Sequence, residues 1–392
     1  MKAVVLAAGK GKRMRGLCST LPKPMLPIAN RPIVTVTLDR LRSMGIEELG
    51  LVVGHEQERL RSLLGSAPPE GPAITYIAQD RPLGTGHAVA LCEDFVAGQP
   101  FALMWGDVLA HGANYPRVAD RFDQGDCEAV LTVIRVPDAS TTAAVDVDRG
   151  FVTGITEKPP LGSRPNAFAN AGIFIWPPAI FDTLRGLQPS PRGEYEFTDA
   201  ILRFVQSKAP IAALELQGYR ENVTSPESCV RANELLLGEV LPSPPVDPPG
   251  TAGSAESVSG CRIAHGALIY EGCTLRQCTL GQDCAVGPRA SLERVEIQAG
   301  ATVEPGCTLG PLVSVGEGAV VRAGARLGPN VSVGPGCVVG ADAQLANAIL
   351  LPGSTVGDAA AVEWAMLDAG VELDAGRKLA GSANEVREVL KT

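Results

Sequence analysis

Residues 297–345 read IQAGATVEPGCTLGPLVSVGEGAVVRAGARLGPNVSVGPGCVVGADAQL. Within them Ile297, Val303, Leu309, Val315, Val321, Leu327, Val333, Val339 and Leu345 stand six apart, a run that chance rarely supplies. Small residues such as Ala301, Cys307, Ala319, Ala325, Cys337 and Ala343 follow many of these by four, and Gly310, Gly316, Gly328, Gly334 and Gly340 follow directly. A fixed short period of this kind marks a parallel β-helix, in which each repeat stacks its apolar residue on the repeat before. Outward from this run the same step holds at Ile263, Ile269 and Leu275, at Leu280, Val286 and Leu292, and at Leu350, Val356 and Val362, each group offset by five. Eighteen hexapeptides at three per coil predict six coils over residues 261–376.

This pattern resembles the left-handed β-helix of hexapeptide-repeat proteins. Cys273, Cys284, Cys307 and Cys337 fall on the small-residue position, where a compact apolar side chain suits a tight corner, so packing is their expected role. A solenoid makes nearest-neighbour contacts only, and covering its faces leads us to expect a homo-oligomer. Residues 377–392 are expected to form a helical tail. Upstream, residues 241–260 are dense in Pro, Gly and Ser, the composition of an extended linker. That leaves residues 1–240 for a separate domain, and 392 residues suit two cores.

Composition narrows the classes. With 45% apolar and 20% charged residues the chain is globular in type, and it has no apolar run near the roughly 18 residues that a membrane span needs. Ala3 to Ala8 precede Lys10, Lys12, Arg13 and Arg15, the reverse of a secretion signal's order. Ten cysteines without a CxxC pair, and four scattered histidines, give no zinc-type spacing and suit reduced thiols in a cytoplasm. A net charge of -9 argues against a nucleic-acid surface, so an anionic ligand must meet a local basic cluster.

In residues 1–240, β-rich runs such as Lys2–Ala8, Gly50–Val53, Ala73–Ile77 and Phe101–Trp105 alternate with helical patterns, which predicts an α/β domain with a largely parallel sheet. Apolar residues at 33, 34, 38, 41 and 44 make Pro32–Met44 the first crossover helix, stopped by Gly45. Pro226–Val240 reads as the last helix, capped by Ser225.

The chemistry concentrates after the first strand. Gly9-Lys10-Gly11-Lys12-Arg13-Met14 combines glycines that let a phosphate approach the backbone with basic side chains. A dinucleotide fingerprint needs glycine where Met14 stands, and a P-loop needs a longer gap before GK and then Ser or Thr, so both fail on spacing. Downstream, Leu21-Pro22-Lys23-Pro24-Met25-Leu26-Pro27 holds one lysine in a proline-stiffened segment.

Together these two motifs, Leu6-Ala7-Ala8-Gly9-Lys10-Gly11-Lys12-Arg13-Met14 and Pro22-Lys23-Pro24-Met25, resemble the signature of sugar-1-phosphate nucleotidylyltransferases, LAAGxGTRM followed by PKPM. The resemblance implies a Rossmann-like nucleotidyltransferase domain. It makes Arg13 and Lys23 the catalytic cations as a sugar phosphate oxygen attacks the α-phosphate of an NTP, and Leu6, Ala7, Ala8, Gly9, Gly11 and Lys12 the nucleotide cradle. Lys12 departs from the family's usual threonine. Further motifs follow in family order: Gln79 with Leu83-Gly84-Thr85-Gly86-His87-Ala88 as the base segment, where Gln79, Gly84 and Thr85 meet the base and His87 is structural.

Gly106-Asp107 closes the strand Phe101–Trp105, and a carboxylate at a strand's C-terminal end is placed to hold Mg2+ over phosphates, with Asn222 as second ligand by its place in the family's DVGTP-type motif. Glu157-Lys158-Pro159, Asn170-Ala171-Gly172-Ile173 and Gly193-Glu194-Tyr195-Glu196-Phe197-Thr198-Asp199 resemble the sugar-phosphate motifs. Glu157, Lys158, Asn170 and Thr198 are their binding residues by that likeness.

The expected reaction joins an NTP to a sugar 1-phosphate, giving NDP-sugar and pyrophosphate. Gln79 with LGTGHA points to UTP with a hexose or N-acetylhexosamine 1-phosphate. EKP and the ending Asn347–Gly357 point to GTP with mannose 1-phosphate or dTTP with glucose 1-phosphate. An inactive sugar-nucleotide-binding subunit is a further reading, opposed by intact Arg13, Lys23, Asp107 and Lys158. An added acetyltransferase activity is opposed by the lack of any histidine or lysine between Gly266 and Arg377.

Overall fold

The computed structural model describes residues 1–9, 11, 14, 16–17, 21–54, 57–66, 71–241 and 257–391. In chain order the first part contains β1 (Lys2–Leu6), β2 (Pro27–Ile28), β3 (Arg31–Pro32), α1 (Ile33–Ser43), β4 (Glu48–Val53), α2 (Gln57–Leu64), β5 (Ala73–Ala78), α3 (Thr85–Ala90), α4 (Glu93–Val96), β6 (Phe101–Trp105), β7 (Val108–Ala110), α5 (Asn114–Asp123), β8 (Ala129–Asp138), β9 (Ala143–Asp148), β10 (Phe151–Glu157), β11 (Pro165–Trp176), α6 (Ile180–Arg185), α7 (Phe197–Gln206), β12 (Ile211–Glu215), β13 (Arg220–Asn222) and α8 (Pro226–Val240). By packing, the described residues of 1–11, 22–25 and 33–222 form one unit, and those of 12–21, 26–32 and 223–392 form another.

In the first unit a nine-stranded sheet runs in the order β5-β4-β1-β6-β11-β8-β12-β10-β9. The apolar first strand is central, with Val4 and Val5 at 1% exposure or less, and it pairs in parallel with β4 on one side and β6 on the other. The chain goes from β1 outward to β4 and β5 and then returns to β6 across the other side of β1. That reversal opens a crevice beyond the C-terminal ends of β1 and β6, where ligands bind in open α/β sheets. The expected parallel arrangement holds for this half, and the other half differs: β11 runs antiparallel to β6 and β8, and β10 antiparallel to β9 and β12. For β9 and β10 the reason is connection length. β9 and β10 are joined by Arg149 and Gly150 alone, both at positive φ, a two-residue turn that can link only antiparallel neighbours.

The helix boundaries follow their caps. α1 ends two residues before Gly45, whose φ of +73° suits glycine as a helix stop. α8 begins at Pro226 after Ser225, whose hydroxyl accepts the Ser228 N–H while the Ser228 hydroxyl accepts the Ser225 N–H.

In the second unit, short strands stack in parallel rungs 17 or 18 residues apart, as in Leu275 opposite Leu292 and Val315 opposite Val333, making a parallel β-helix. All nine hexad residues from Ile297 to Leu345 are at 2% exposure or less, and the small residues behind them are at 0%. Fully burying each such Val, Leu or Ile is worth about 1.5–3 kcal/mol, and these residues, the small ones and others such as Val295, Val313 and Val331 together form the core. The glycines that follow sit where coils touch: a Cβ on Gly316 would lie 2.6 Å from the Pro335 nitrogen of the next coil. Burial pushes the thiols of Cys284 and Cys307 up to about 11, in keeping with packing rather than reactivity. The nine described cysteines are free.

Two expectations change. The coils extend beyond the six predicted: Ser257–Ser259 pairs with Thr274–Arg276 ahead of them, and one face alone holds seven strands ending at Glu372–Leu373. The tail is not helical. Lys378–Ala380 pairs with Ala361–Glu363, and Arg387–Val389 with Ala365–Leu367. The last coil otherwise leaves a row of unpaired N–H and C=O groups, and the tail satisfies them while Leu379 and Val389 pack against the core. Residues 242–256 of the expected linker lie outside the described residues. Among the described residues, no helix is long and apolar enough to cross a membrane.

Truncation after Arg377 therefore exposes the edge of Ala361–Leu367. The shortened chain is expected to melt at lower temperature and to aggregate with rising concentration, read by calorimetry and light scattering; unchanged melting and scattering would remove the capping role.

Candidate functional site

At the mouth of the crevice, Leu6 ends β1 and Gly106 follows β6. The Gly106 N–H donates to the Leu6 carbonyl at 2.9 Å, and a Cβ on Gly106 would stand 2.7 Å from that oxygen, so only glycine lets the two strand ends approach so closely. Ala7 continues the pairing, its N–H donating to the Val52 carbonyl at 2.8 Å. Beyond it, Ala8 is half-buried, Gly9 is exposed with open space where a Cβ would stand, and Gly11 has φ of +61°. Lys12 and Arg13 lie outside the described residues.

Lys23 sits in a short 3-10 turn, Lys23–Met25, between two prolines. Its ammonium donates to Asp107 Oδ2 at 2.6 Å, with the lysine side chain 12% exposed and the aspartate 33%. Asp107 precedes β7, and β7 pairs antiparallel with β13 so that Asn222 stands opposite Val108. Both expected metal residues are thus neighbours across one short ladder. They offer hard oxygen donors, and a site for Mg2+ needs only one or two of these because the ion keeps several waters. Among the described residues, no group of three or more Asp, Glu, His or Cys side chains is arranged to hold a metal ion.

Gln79 is buried at the end of β5. Its N–H donates to the Val53 carbonyl at 2.8 Å, and its Nε2 meets the Gly84 carbonyl at 3.1 Å and His87 Nδ1 at 3.0 Å. His87 is thus structural, holding the glutamine amide. Gly84 and Thr85 are tied to the segment before α7: the Tyr195 N–H donates to the Leu83 carbonyl at 2.8 Å, the Gly86 N–H to the Tyr195 carbonyl at 2.7 Å, and the Phe197 N–H to Thr85 Oγ1 at 3.1 Å.

Beside that segment, Thr198 Oγ1 donates to Glu157 Oε2 at 2.7 Å, and Lys158 Nζ stands 3.9 Å from Glu157 Oε1 on a half-exposed side chain. Asn170 is buried, and its Oδ1 accepts the Gly172 N–H at 2.9 Å, shaping a bulge within β11 rather than standing open. Burial and the charge of Glu157 push the Asp199 carboxyl above the usual carboxylate range.

The structure adds two arginines. Arg192 Nη2 donates to Glu196 Oε1 at 2.7 Å and reaches Glu157 Oε1 at 3.5 Å. Arg220 on β13 donates through Nε to the Ala171 carbonyl at 3.2 Å; burial lowers its pKa, against the raising influence of Asp107. Each lies inside or beside a segment that sequence reading singled out, next to Gly193 and two residues before Asn222. Nothing in the spacing marked the arginine itself.

Set against known proteins, the Nucleotidyl transferase family matches residues 2–239, and the GMPPB C-terminal domain matches residues 313–383. The low-salt glycan biosynthesis nucleotidyltransferase Agl11 of Haloferax volcanii is 35% identical over 240 residues, 60% of this chain and 66% of its own. The UTP–glucose-1-phosphate uridylyltransferase AglF of the same organism is 35% identical over 61% of this chain and 98% of its own. A solved UDP-glucose pyrophosphorylase complexed with UDP-glucose shares the fold, with a TM-score of 0.56 at 23% identity over 61% of this chain and 100% of that one.

Gly84 has φ of +111°, and a methyl group there would stand 2.6 Å from the Tyr195 carbonyl oxygen. Gly84→Ala is expected to cost about 2 kcal/mol or more, seen as a lower urea midpoint; an unmoved midpoint would mean the two loops are not held together this way.

Proposed function

The chain belongs to the nucleotidyl transferase family, and from that premise we propose that its first unit transfers a nucleotidyl group from an NTP to a sugar 1-phosphate, forming an NDP-sugar and pyrophosphate. The observation that carries this reading is the Lys23–Asp107 pair at the mouth of the crevice, with Asn222 beside it. In the proposed reaction a phosphate oxygen of the sugar 1-phosphate bonds to the α-phosphorus as its bond to the bridging oxygen of the leaving pyrophosphate breaks. Lys23 neutralises the charge that builds there, with Arg13 as the second cation, and glycines of the 6–11 turn let the polyphosphate approach the backbone. Asp107 and Asn222 would hold Mg2+, which when bound supplies charge neutralisation over the phosphates. Glu157 accepts sugar hydroxyls beside Thr198 and Asn170, and Lys158 takes the sugar's phosphate.

With both Nε2 hydrogens engaged by Gly84 and His87, Gln79 offers a base the acceptor Oε1, which can take the ring N–H of uracil, thymine or guanine or the amino group of adenine or cytosine, so the preference among bases rests on the LGTGHA likeness. UTP with a hexose or N-acetylhexosamine 1-phosphate is the preferred pair, and AglF's name couples UTP with glucose 1-phosphate. The second reading, GTP with mannose 1-phosphate, is favoured by the ending Asn347–Gly357, which falls inside the 313–383 match. We place the enzyme in the cytoplasm as a homo-oligomer.

Pyrophosphate release, measured across four NTPs crossed with glucose, N-acetylglucosamine and mannose 1-phosphates, tests the assignment. Lys23→Ala and Asp107→Ala should each lower the best pair's rate by about 100-fold or more. Full activity in either variant would remove that residue from the site, and no release with any pair would favour a non-catalytic subunit.

A further inference from the structure

Three asparagines tie distant parts of the second unit together. Asn30 has a left-handed backbone, φ +56°, a conformation that asparagine and glycine accept. Its Nδ2 donates to the Val333 carbonyl at 2.9 Å and also meets the Ser314 hydroxyl at 3.0 Å and the Ser314 carbonyl at 3.1 Å. One residue earlier, the Ala29 N–H donates to Asn233 Oδ1 at 2.8 Å, and the Ser332 hydroxyl donates to the same oxygen at 2.8 Å. Asn233 Nδ2 then donates to Asn330 Oδ1 at 2.8 Å, and Asn330 Nδ2 donates to the Val230 carbonyl at 3.0 Å. Asn233, Ser314 and Ser332 are at 0% exposure and Asn330 at 1%, so these four members are withdrawn from water, while Asn30 is half-buried at the rim. A buried polar network whose members are partnered specifies one arrangement, because any other leaves a desolvated group without a partner.

The clasp grips residues 26–32, a segment that packs with the β-helix, whereas residues 22–25 just before it pack in the first unit. Met25, the last residue of the Lys23 turn, is bonded directly to Leu26. Pro22, Pro24 and Pro27 each fix one backbone torsion, so few rotations separate Lys23 from the gripped segment.

We infer that Asn30 and Asn233 are positioning residues for Lys23: the β-helix, through this clasp, fixes the stretch of chain that aims the catalytic ammonium. The inference rests on the reading of Lys23 given above.

Asn30→Gly tests it cleanly, since glycine keeps the left-handed backbone and only the side-chain amide is lost. In the full chain, kcat for pyrophosphate release is expected to fall about tenfold, with the sugar-phosphate KM changed less than about twofold. In a Lys23→Arg background, where no correctly aimed ammonium remains, the same change should cost less than about twofold. An equal loss in both backgrounds, or unchanged kcat, overturns the inference. Should Asn30→Gly fail to fold, Ser314→Ala removes one partner of the amide, and the cycle run with it carries the same expected signs. A fully active Lys23→Arg enzyme would instead count against the reading of Lys23 and leave the clasp without a target, which also overturns the inference.

Discussion

The contact between the Lys23 ammonium and the Asp107 carboxylate is the constraint around which the first unit is arranged. An ammonium that is nine-tenths withdrawn from water is costly unless a carboxylate meets it, so the 22–25 turn can close over the sheet only where one stands. Asp107 is placed there by backbone alone. β6 lies parallel to β1 in full register, Gly106 lets the two strand ends touch, and the next residue projects at the crevice. A pair of this kind adds little stability compared with apolar packing of the same volume. In the proposed reaction its value would lie in holding a cation and a hard oxygen ligand side by side.

The two halves of the candidate site differ in charge. One gathers Lys23 and Arg220 around one carboxylate, in a chain whose net charge is -9, so the positive field is local. The other is mainly acidic: Glu157, Glu196 and Asp199 crowd together with Arg192 between two of them and Lys158 at the edge. Carboxylates accept from hydroxyls and repel phosphates, so in the proposed reaction this division would turn a sugar ring toward Glu157 and its phosphate toward Lys158 and Lys23. Bonds from Tyr195 and Phe197 to the 83–86 loop join the base segment to the sugar segment, so that neither substrate pocket is built independently of the other.

What the sequence disclosed depends on whether a residue's role is local. The β-helix was legible because each hexad repeats one local event, an apolar residue turned inward and a small one at the corner. The start of α8 was legible because Ser225 and Pro226 act on their own turn. The motif residues Lys23, Asp107, Asn222, Glu157 and Thr198 came from resemblance and order, and the structure brings the first three together and the last two together. Arg192 and Arg220 escaped because the partners that bring them to the site, Glu157 and Ala171, lie 35 and 49 residues away along the chain, and the local Arg192–Glu196 pair reads like any surface i,i+4 pair. The strand tail escaped for a related reason. Its conformation is dictated by an open edge that its own residues do not encode.

The hexad pattern itself contains a departure that only packing explains. Residues just before the inward apolar position normally face solvent on a β-helix, and Arg262 and Arg326 do so. At Ser314 and Ser332 the same position is fully buried, because α8 and the segment 26–32 lie over those rungs. An apolar residue there would suit the burial but would leave the Asn30 amide and the Asn233 carbonyl with fewer partners. A long polar residue would not fit under a helix. Serine is the small side chain that can both donate and accept, and Asn330 one rung corner away supplies the acceptor for Asn233 Nδ2. Serine also stands at the exposed rung position 291, so it is the full burial and side-chain bonding of Ser314 and Ser332 that mark the cover given by α8 and the segment leading back to Lys23.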